Sequence, residues 1–171
     1  MRLLSRAFHS DQEIIAAAAW ADVVGFSCIT AQYSASLRLS AEIKALRPAL
    51  PIVFGGVHPS SSYALTAARK EVDYVCIGEA ELSFMDLLAH VSQSSAMNKP
   101  IPGVAYYGKD GNLLVEPTNA IHDLDEIGMP AWDLLERDAK SARTNVITSR
   151  GCPFSCTHCY NSWIKQAYDF K

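Results

Sequence analysis

The sequence has no long run of basic residues: 15 Lys and Arg stand against 18 Asp and Glu, for a formal charge of −3. Binding to a phosphate backbone or an anionic bilayer needs clustered positive charge, so no nucleic-acid partner and no such membrane surface are expected. No apolar stretch approaches the roughly 20 residues that cross a bilayer, which argues against membrane insertion. The opening, MRLLSRAFHSD, is too short and too weakly apolar for a secretory signal, whose apolar part runs about 7–15 residues. A cytoplasmic location is the resulting expectation. Cysteine is scarce and oddly placed: there are five, three of them within eight positions. A small secreted domain spreads its cysteines to staple distant loops, so a disulfide framework is not expected. No internal repeat is visible, and no low-complexity tract beyond a short alanine run. What is abundant is apolar surface, 49% of 171 residues. That suffices for the core of one ordinary domain and a little more, and excludes global disorder.

Residues 12–20, QEIIAAAAW, are strong helix formers, with Asp11 expected as N-cap. The following ADVVGFSCI starts an apolar run at Val23 and Val24 and breaks into Ser27 and Thr30, the pattern of a buried strand and a loop. SASLRLSAEIKALRP has helical spacing through Leu37, Ala41, Ile43, Lys44 and Leu46, and Pro48 marks its exit. PIVFGG is a β-branched run ending in two glycines, SYALTAARKE a helix, and VDYVCIGE a strand ending at Gly78. AELSFMDLLAHV predicts an amphipathic helix with Leu82, Met85, Leu88 and Ala89 on one face. Strands near 22–28, 51–56 and 72–78, alternating with helices, predict βαβ crossovers and a parallel sheet covered on both faces. SQSSAMNKPIPG is polar and proline-bearing, a connection. GVAYYGKDGNLLVEP predicts a hairpin around an Asp-Gly turn. NAIHDLDEIGMPAWDLLERD reads as a linker with a short helical turn, and NVITSRG as a strand leading into the cysteines. The expected division is an α/β domain over 1–95, a hairpin and linker over 96–143, and a third part over 144–171.

In a parallel α/β sheet, ligands gather at the carboxyl ends of the strands. Three such ends carry small or polar residues: Ser27 to Thr30; Gly55, Gly56, Val57, His58 and Pro59; and Gly78, Glu79, Ala80 and Glu81. Glycine lets a ligand approach the backbone, and helix N-termini offer N–H groups. The competing account is that these glycines only end strands and turn the chain. His58 either lines a site or hydrogen-bonds locally. Placement at a helix N-terminus accounts for Glu79 and Glu81 without a ligand. Trp20, Trp132, Tyr106 and Tyr107 read as packing residues, and Asp123, Asp125 and Glu126 as a solvated linker.

Cys152, Cys156 and Cys159 follow the spacing C-x3-C-x2-C. Soft thiolates favour zinc or iron–sulfur clusters. Structural zinc commonly takes two separated pairs of ligands, and no second pair exists. Cys28 and Cys76 stand singly in predicted strands, as small buried hydrophobes. A [4Fe–4S] cubane has four iron corners, each normally bound by one cysteine. Three cysteines on one loop hold three corners and leave the fourth open, as catalytic zinc sites keep one position open. Gly151 and Pro153 turn and stiffen that loop. On the residues alone, a zinc-stabilised α/β protein stays as the alternative.

The stretch TSRGCPFSCTHCYN resembles the cluster loop of the radical S-adenosylmethionine (SAM) superfamily, with His158 where the family has an aromatic residue. The resemblance implies that Cys152, Cys156 and Cys159 bind a [4Fe–4S] cluster and that SAM fills the open corner and is cleaved reductively. It implies that His158 gives a backbone contact near the adenine. It also implies a small-molecule substrate and a reductant such as flavodoxin or ferredoxin. Upstream, DVVGFS, PIVFGGVHPS, VDYVCIGEAE and PAWDLL resemble the cobalamin (B12)-binding domain that precedes the barrel in one large subgroup. Of that domain's pattern, Ser27-Cys28-Ile29 matches S-x-L with Ile for Leu, and Gly55-Gly56 matches G-G. The D-x-H-x-x-G element is absent. The implied cobalamin contacts are Ser27, Thr30, Gly55, Gly56, His58, Gly78 and Glu79. Arg150 is expected to pack on the cysteine loop or to pair with the cluster's charge.

The expected fold is thus a flavodoxin-like (Rossmann-like) α/β domain, a hairpin linker and the start of a radical SAM (β/α) barrel. The expected function is that of a cobalamin-dependent radical SAM enzyme catalysing a reaction such as methyl transfer or cyclisation. A non-catalytic cobalamin and iron–sulfur binding module is the competing class. The B12 domain's usual first strand is not visible, and residues 2–4 are candidates for its second in the order 2-1-3-4-5. The barrel segments that contact SAM are not visible either. The expectation is therefore a fragment of a longer enzyme, inactive by itself.

Overall fold

The computed structural model describes Leu4, residues 9–92 and 100–117, Ile121, residues 123–130, Arg150, Cys152, Phe154 and residues 156–160. The strand expected over NVITSRG, Trp132 with the PAWDLL segment, and the strand expected at residues 2–4 (apart from Leu4) lie outside the described residues.

The first helix, α1 (Asp11–Ala17), is capped by Ser10, not by Asp11. The Glu13 N–H donates to the Ser10 hydroxyl at 3.3 Å, and the Glu13 carboxylate accepts from the Ser10 N–H at 2.7 Å. This capping box satisfies two donors that the first turn leaves open, something Asp11 could not do from inside the helix. Just past the other end, Arg47 Nη1 donates to the carbonyls of Ala18 and Ala21 at 2.7 Å and of Ala19 at 3.2 Å. These carbonyls belong to the turns that follow the helix, where Ala18 also accepts from the Ala21 N–H at 3.3 Å.

Then follow β1 (Val24–Ser27), α2 (Thr30–Leu46), β2 (Ile52–Gly55), the short α3 (Val57–Ser61) and α4 (Tyr63–Ala67), and β3 (Tyr74–Cys76). The three strands are parallel, with Val24 opposite Ile52, Ser27 opposite Gly55 and Phe54 opposite Val75. Of the helix expected over SYALTAARKE only α4 forms, and α3, which lies before it, is separated from it by Ser62, which leaves the helical region (φ −128°, ψ 35°). The Ser62 hydroxyl donates to the His58 carbonyl at 2.8 Å, offering the backbone an alternative to a continuous helix.

Alternation along the strands sorts their side chains onto two faces. Val24, Phe26, Ile52, Phe54 and Val75 meet Ile15, Ile43, Leu50 and Ala67 from the α1, α2 and α4 side. Phe54 is fully buried, 5.0 Å from the ring of Phe26 and edge-on to Tyr33 at 6.1 Å. On the other face, Val53, Cys76, Val104 and Tyr106 pack on Leu87, Phe84 and Val91 of α5 (Glu81–Ser92). The buried face of α5 is therefore not the one carrying Leu82 and Met85, which are 57% and 64% exposed. Apolar residues occur on both sides of this helix, and only the sheet decides which side is covered.

The hairpin forms as expected, with β4 (Val104–Tyr107) antiparallel to β5 (Leu113–Val115). It also extends the sheet: β4 pairs antiparallel with β3, Cys76 facing Val104, giving the order β1-β2-β3-β4-β5. Tyr106 packs as expected, buried and 5.5 Å from the ring of Tyr74. Trp20 and Tyr107 do not; both are exposed. Asp123 accepts from the Asp125 N–H at 2.9 Å and caps a solvated 3-10 turn, Leu124–Ile127. Among the described residues β1 pairs only with β2, and no helix is long and apolar enough to cross a membrane.

Candidate functional site

The carboxyl ends of β1, β2 and β3 form one rim, tied together by backbone hydrogen bonds. The Cys28 N–H donates to the Gly55 carbonyl at 2.9 Å, and the His58 N–H donates to the Cys28 carbonyl at 3.2 Å. This closeness explains one of the two glycines. Gly56 has φ +91°, and a Cβ there would sit 2.8 Å from both the N and the O of Cys28. Its glycine is required by the chain itself. A Cβ at Gly55 would meet only Cys76, at an ordinary 3.7 Å.

His58 has a local partner: Nδ1 lies 3.1 Å from Thr30 Oγ1, and its ring is 4.1 Å from that of Tyr33. Two elements thus fix the imidazole, the start of α2 and the start of α3. At the end of β3, Gly78 has φ +71° and its N–H donates to Ser60 Oγ at 2.9 Å. Ser27, Gly55, Gly56, Thr30, His58, Gly78 and Glu79 all fall on this rim, as the sequence predicts.

Beside it lies a shelf. Gly25, Ser27 and Gly55 point to one face by alternation and register. Gly25 and Ser27 are exposed, and among the described residues nothing beyond its chain neighbours lies within 4 Å of a Cβ built at Gly25. The shelf offers a hydroxyl and open space without bulky side chains, the shape a large ligand needs to approach a sheet.

The cysteines divide into two kinds. Cys28 and Cys76 are buried, and burial raises both thiols, Cys76 to about 12. A thiol held neutral is a poor metal ligand. Cys152 and Cys159 are partly exposed and Cys156 is exposed, and none of the three is in a disulfide. The Cys159 N–H donates to the Cys156 carbonyl at 3.0 Å, closing a turn over Thr157 and the exposed His158. The donor set suits a soft metal centre, but the thiols do not converge: no group of three His, Cys, Asp or Glu among the described residues is placed to hold a metal ion.

This loop is joined to the rim. Arg150 Nη1 is 3.3 Å from Glu79 Oε1, and Arg150 Nη2 is 2.5 Å from Glu81 Oε1. Arg150 thus pairs with the rim carboxylates, where the sequence suggested packing on the loop or pairing with a cluster. Glu79 Oε2 also accepts from the Ile121 N–H at 3.4 Å. Beyond the last cysteine, Tyr160 hydrogen-bonds Ser60, and burial raises its phenol above the usual range. Tyr33, Ser60 and Tyr160 carry no sequence signal of a site. Adjacency to Cys159 was the only available pointer to Tyr160, and the pairing partners come from chain segments 100 residues apart.

Residues 5–88 match the family described as "B12 binding domain". An uncharacterized methyltransferase of Pyrococcus horikoshii is 33% identical over 147 residues, covering 82% of this chain and 32% of that protein. The anaerobic magnesium-protoporphyrin IX monomethyl ester cyclase of Rubrivivax gelatinosus is 30% identical over 150 residues, 81% of this chain and 26% of that protein. The chain thus spans a third or less of the length of these relatives. Among solved structures, the radical S-adenosylmethionine methyltransferase TsrM of Kitasatospora setae, with tryptophan substrate and a SAM analog bound, matches with a TM-score of 0.54. It is 18% identical, over 66% of this chain and 22% of that one, a likeness of fold.

Proposed function

The chain carries a B12-binding domain, and from that premise we propose that it is part of a radical SAM protein, holding cobalamin at the strand-end rim and a [4Fe–4S] cluster on Cys152, Cys156 and Cys159. The whole protein then acts as an enzyme of radical chemistry on a small-molecule substrate, by methyl transfer or cyclisation. The observation that carries this reading is the attachment of the cysteine loop to the same rim that presents Ser27, Gly55, His58 and Gly78. The names of the two relatives, a methyltransferase and a cyclase, favour the two reaction types.

The residues fit both groups. The open space at Gly25 and the Ser27 hydroxyl suit the long tail of a cobalamin. Thr30 holds one nitrogen of His58 and so fixes the direction of the other. The three loop thiols are accessible soft donors, and one iron corner stays open for SAM. When bound, these groups supply one-electron chemistry: reductive cleavage of SAM at the cluster and transfer chemistry at the cobalt. The electron comes from a partner of the flavodoxin or ferredoxin class.

Anaerobic reconstitution with iron and sulfide tests the cluster. About four irons per chain and an absorption near about 400 nm are expected, both lost when all three cysteines become alanine. Stoichiometric zinc without iron would instead support the zinc-stabilised reading. Hydroxocobalamin should change its spectrum on titration into the protein, and no change overturns the cobalamin half. SAM cleavage by the whole protein under reductant separates an enzyme from a binding module.

A further inference from the structure

Two contacts bracket the cysteines. Arg150 lies two residues before Cys152 and reaches Glu79 and Glu81; Tyr160 follows Cys159 and reaches Ser60. Both land on one short part of the rim. Glu79 and Glu81 stand where the chain leaves β3 for α5, and Ser60 holds the Gly78 N–H in that same turn. Ser60 is 1% exposed, so the turn that carries Gly78 and Glu79 is held by the packed body. We infer that Arg150 is a positioning residue: its guanidinium bridges Glu79 and Glu81 and sets where the cysteine loop stands over the rim.

An exposed ion pair contributes little to stability. Geometry is a different matter, because one guanidinium meeting two carboxylates has few orientations that satisfy both. Glu79 also accepts from the Ile121 N–H through its other oxygen, at 3.4 Å, a second tie on the receptor side. Gly78 and Glu79 belong to the rim that receives cobalamin in the proposed function, on which this inference rests. Arg150 therefore sets the separation of the two groups through the rim carboxylates.

The first test needs no cofactor. In an Arg150→Lys variant, a zero-length carbodiimide should join the introduced amine to Glu79 or Glu81, read as a cross-linked peptide by mass. The cross-link should vanish with Glu79→Gln and Glu81→Gln. No cross-link, or one to other carboxylates, overturns the bridge. The second test uses the reconstituted chain and the dipolar coupling between cob(II)alamin and the reduced cluster. The distance distribution should be narrow in the native chain, lose its narrow component in Arg150→Glu, and regain it in Arg150→Glu with Glu81→Arg, at unchanged iron content. An unchanged distribution in Arg150→Glu, or no rescue, overturns the positioning role. Failure to take up cobalamin or iron would sink the proposed function instead, with the cross-link still reporting on the bridge.

Discussion

Cys76 and Cys159 carry the same thiol in opposite settings. Cys76 ends a central strand, packed beneath α5, and burial lifts its thiol to about 12. Cys159 lies in a turn at the molecule's rim, joined to the body by the side chains that flank it. The first is held by the core and has no chemistry to offer. The second is available for chemistry and depends on a few polar contacts for its place. The whole molecule divides in this way: the sheet is specified by burial, the loop by pairing.

The sharpest way to break that comparison is to exchange the roles. Replacing Cys152, Cys156 and Cys159 by alanine should abolish iron uptake, while Cys28→Ala with Cys76→Ala should keep it, as read by iron content and circular dichroism. Iodoacetamide should label the loop cysteines and spare Cys28 and Cys76 until the chain unfolds. Iron loss in the buried pair's variant, with the fold intact, would erase the distinction.

Stability should follow the opposite order. Phe54→Ala removes a fully buried ring and should cost about 3–5 kcal/mol in urea unfolding. Arg150→Ala, losing a partly exposed ion pair, should cost about 0–1 kcal/mol.

The buried thiol also predicts a pH window. Unfolded, Cys76 ionises near 9.0; folded, it stays neutral to about 12. Its contribution is fully present below the unfolded value and is lost as pH rises through 9 towards 12, by about 1.4 kcal/mol per pH unit. Tyr74 and Tyr106 are raised by burial as well and add to the decline above their ordinary value of 10. Urea midpoints between pH 8 and 11 should therefore fall, and Cys76→Ala should make the part between 9 and 10 shallower, leaving the share of Cys28, which burial also raises.

The smallest contrast is between two glycines. Gly56→Ala forces a Cβ against the Cys28 backbone at positive φ and should cost about 1–3 kcal/mol or more. Gly25→Ala meets open space and should shift the thermal midpoint little, within about 1 kcal/mol. Equal losses at both would mean that the β1–β2 closure is not what demands Gly56.

Much of the fold was legible because strand and helix periods differ. The runs at Val24–Ser27, Ile52–Gly55 and Tyr74–Cys76 are short and apolar, and each lies between helical patterns. The buried face of α5 was not legible, because Leu82 and Met85 compete with Phe84 and Leu87 and nothing local distinguishes them. The place of the hairpin was not legible either: its turn is a local signal, whereas the pairing of β4 with β3 is not. At the site, strand-end chemistry pointed to Ser27, Gly55, His58 and Gly78. Ser60 and Tyr33 were silent, since a serine or a tyrosine in a helix looks the same whether or not it meets a partner.

The sequence by itself determined the period of each element, the three-cysteine donor set and the small residues at the strand ends, because these are properties of neighbours along the chain. Tertiary structure decided which cysteines are inert and which glycine is obligatory. It also turned Glu79, Glu81 and Ser60 into the receptor of the cysteine loop. Burial and hydrogen-bond partners belong to pairs of groups brought together from distant positions, and no local pattern encodes that closeness.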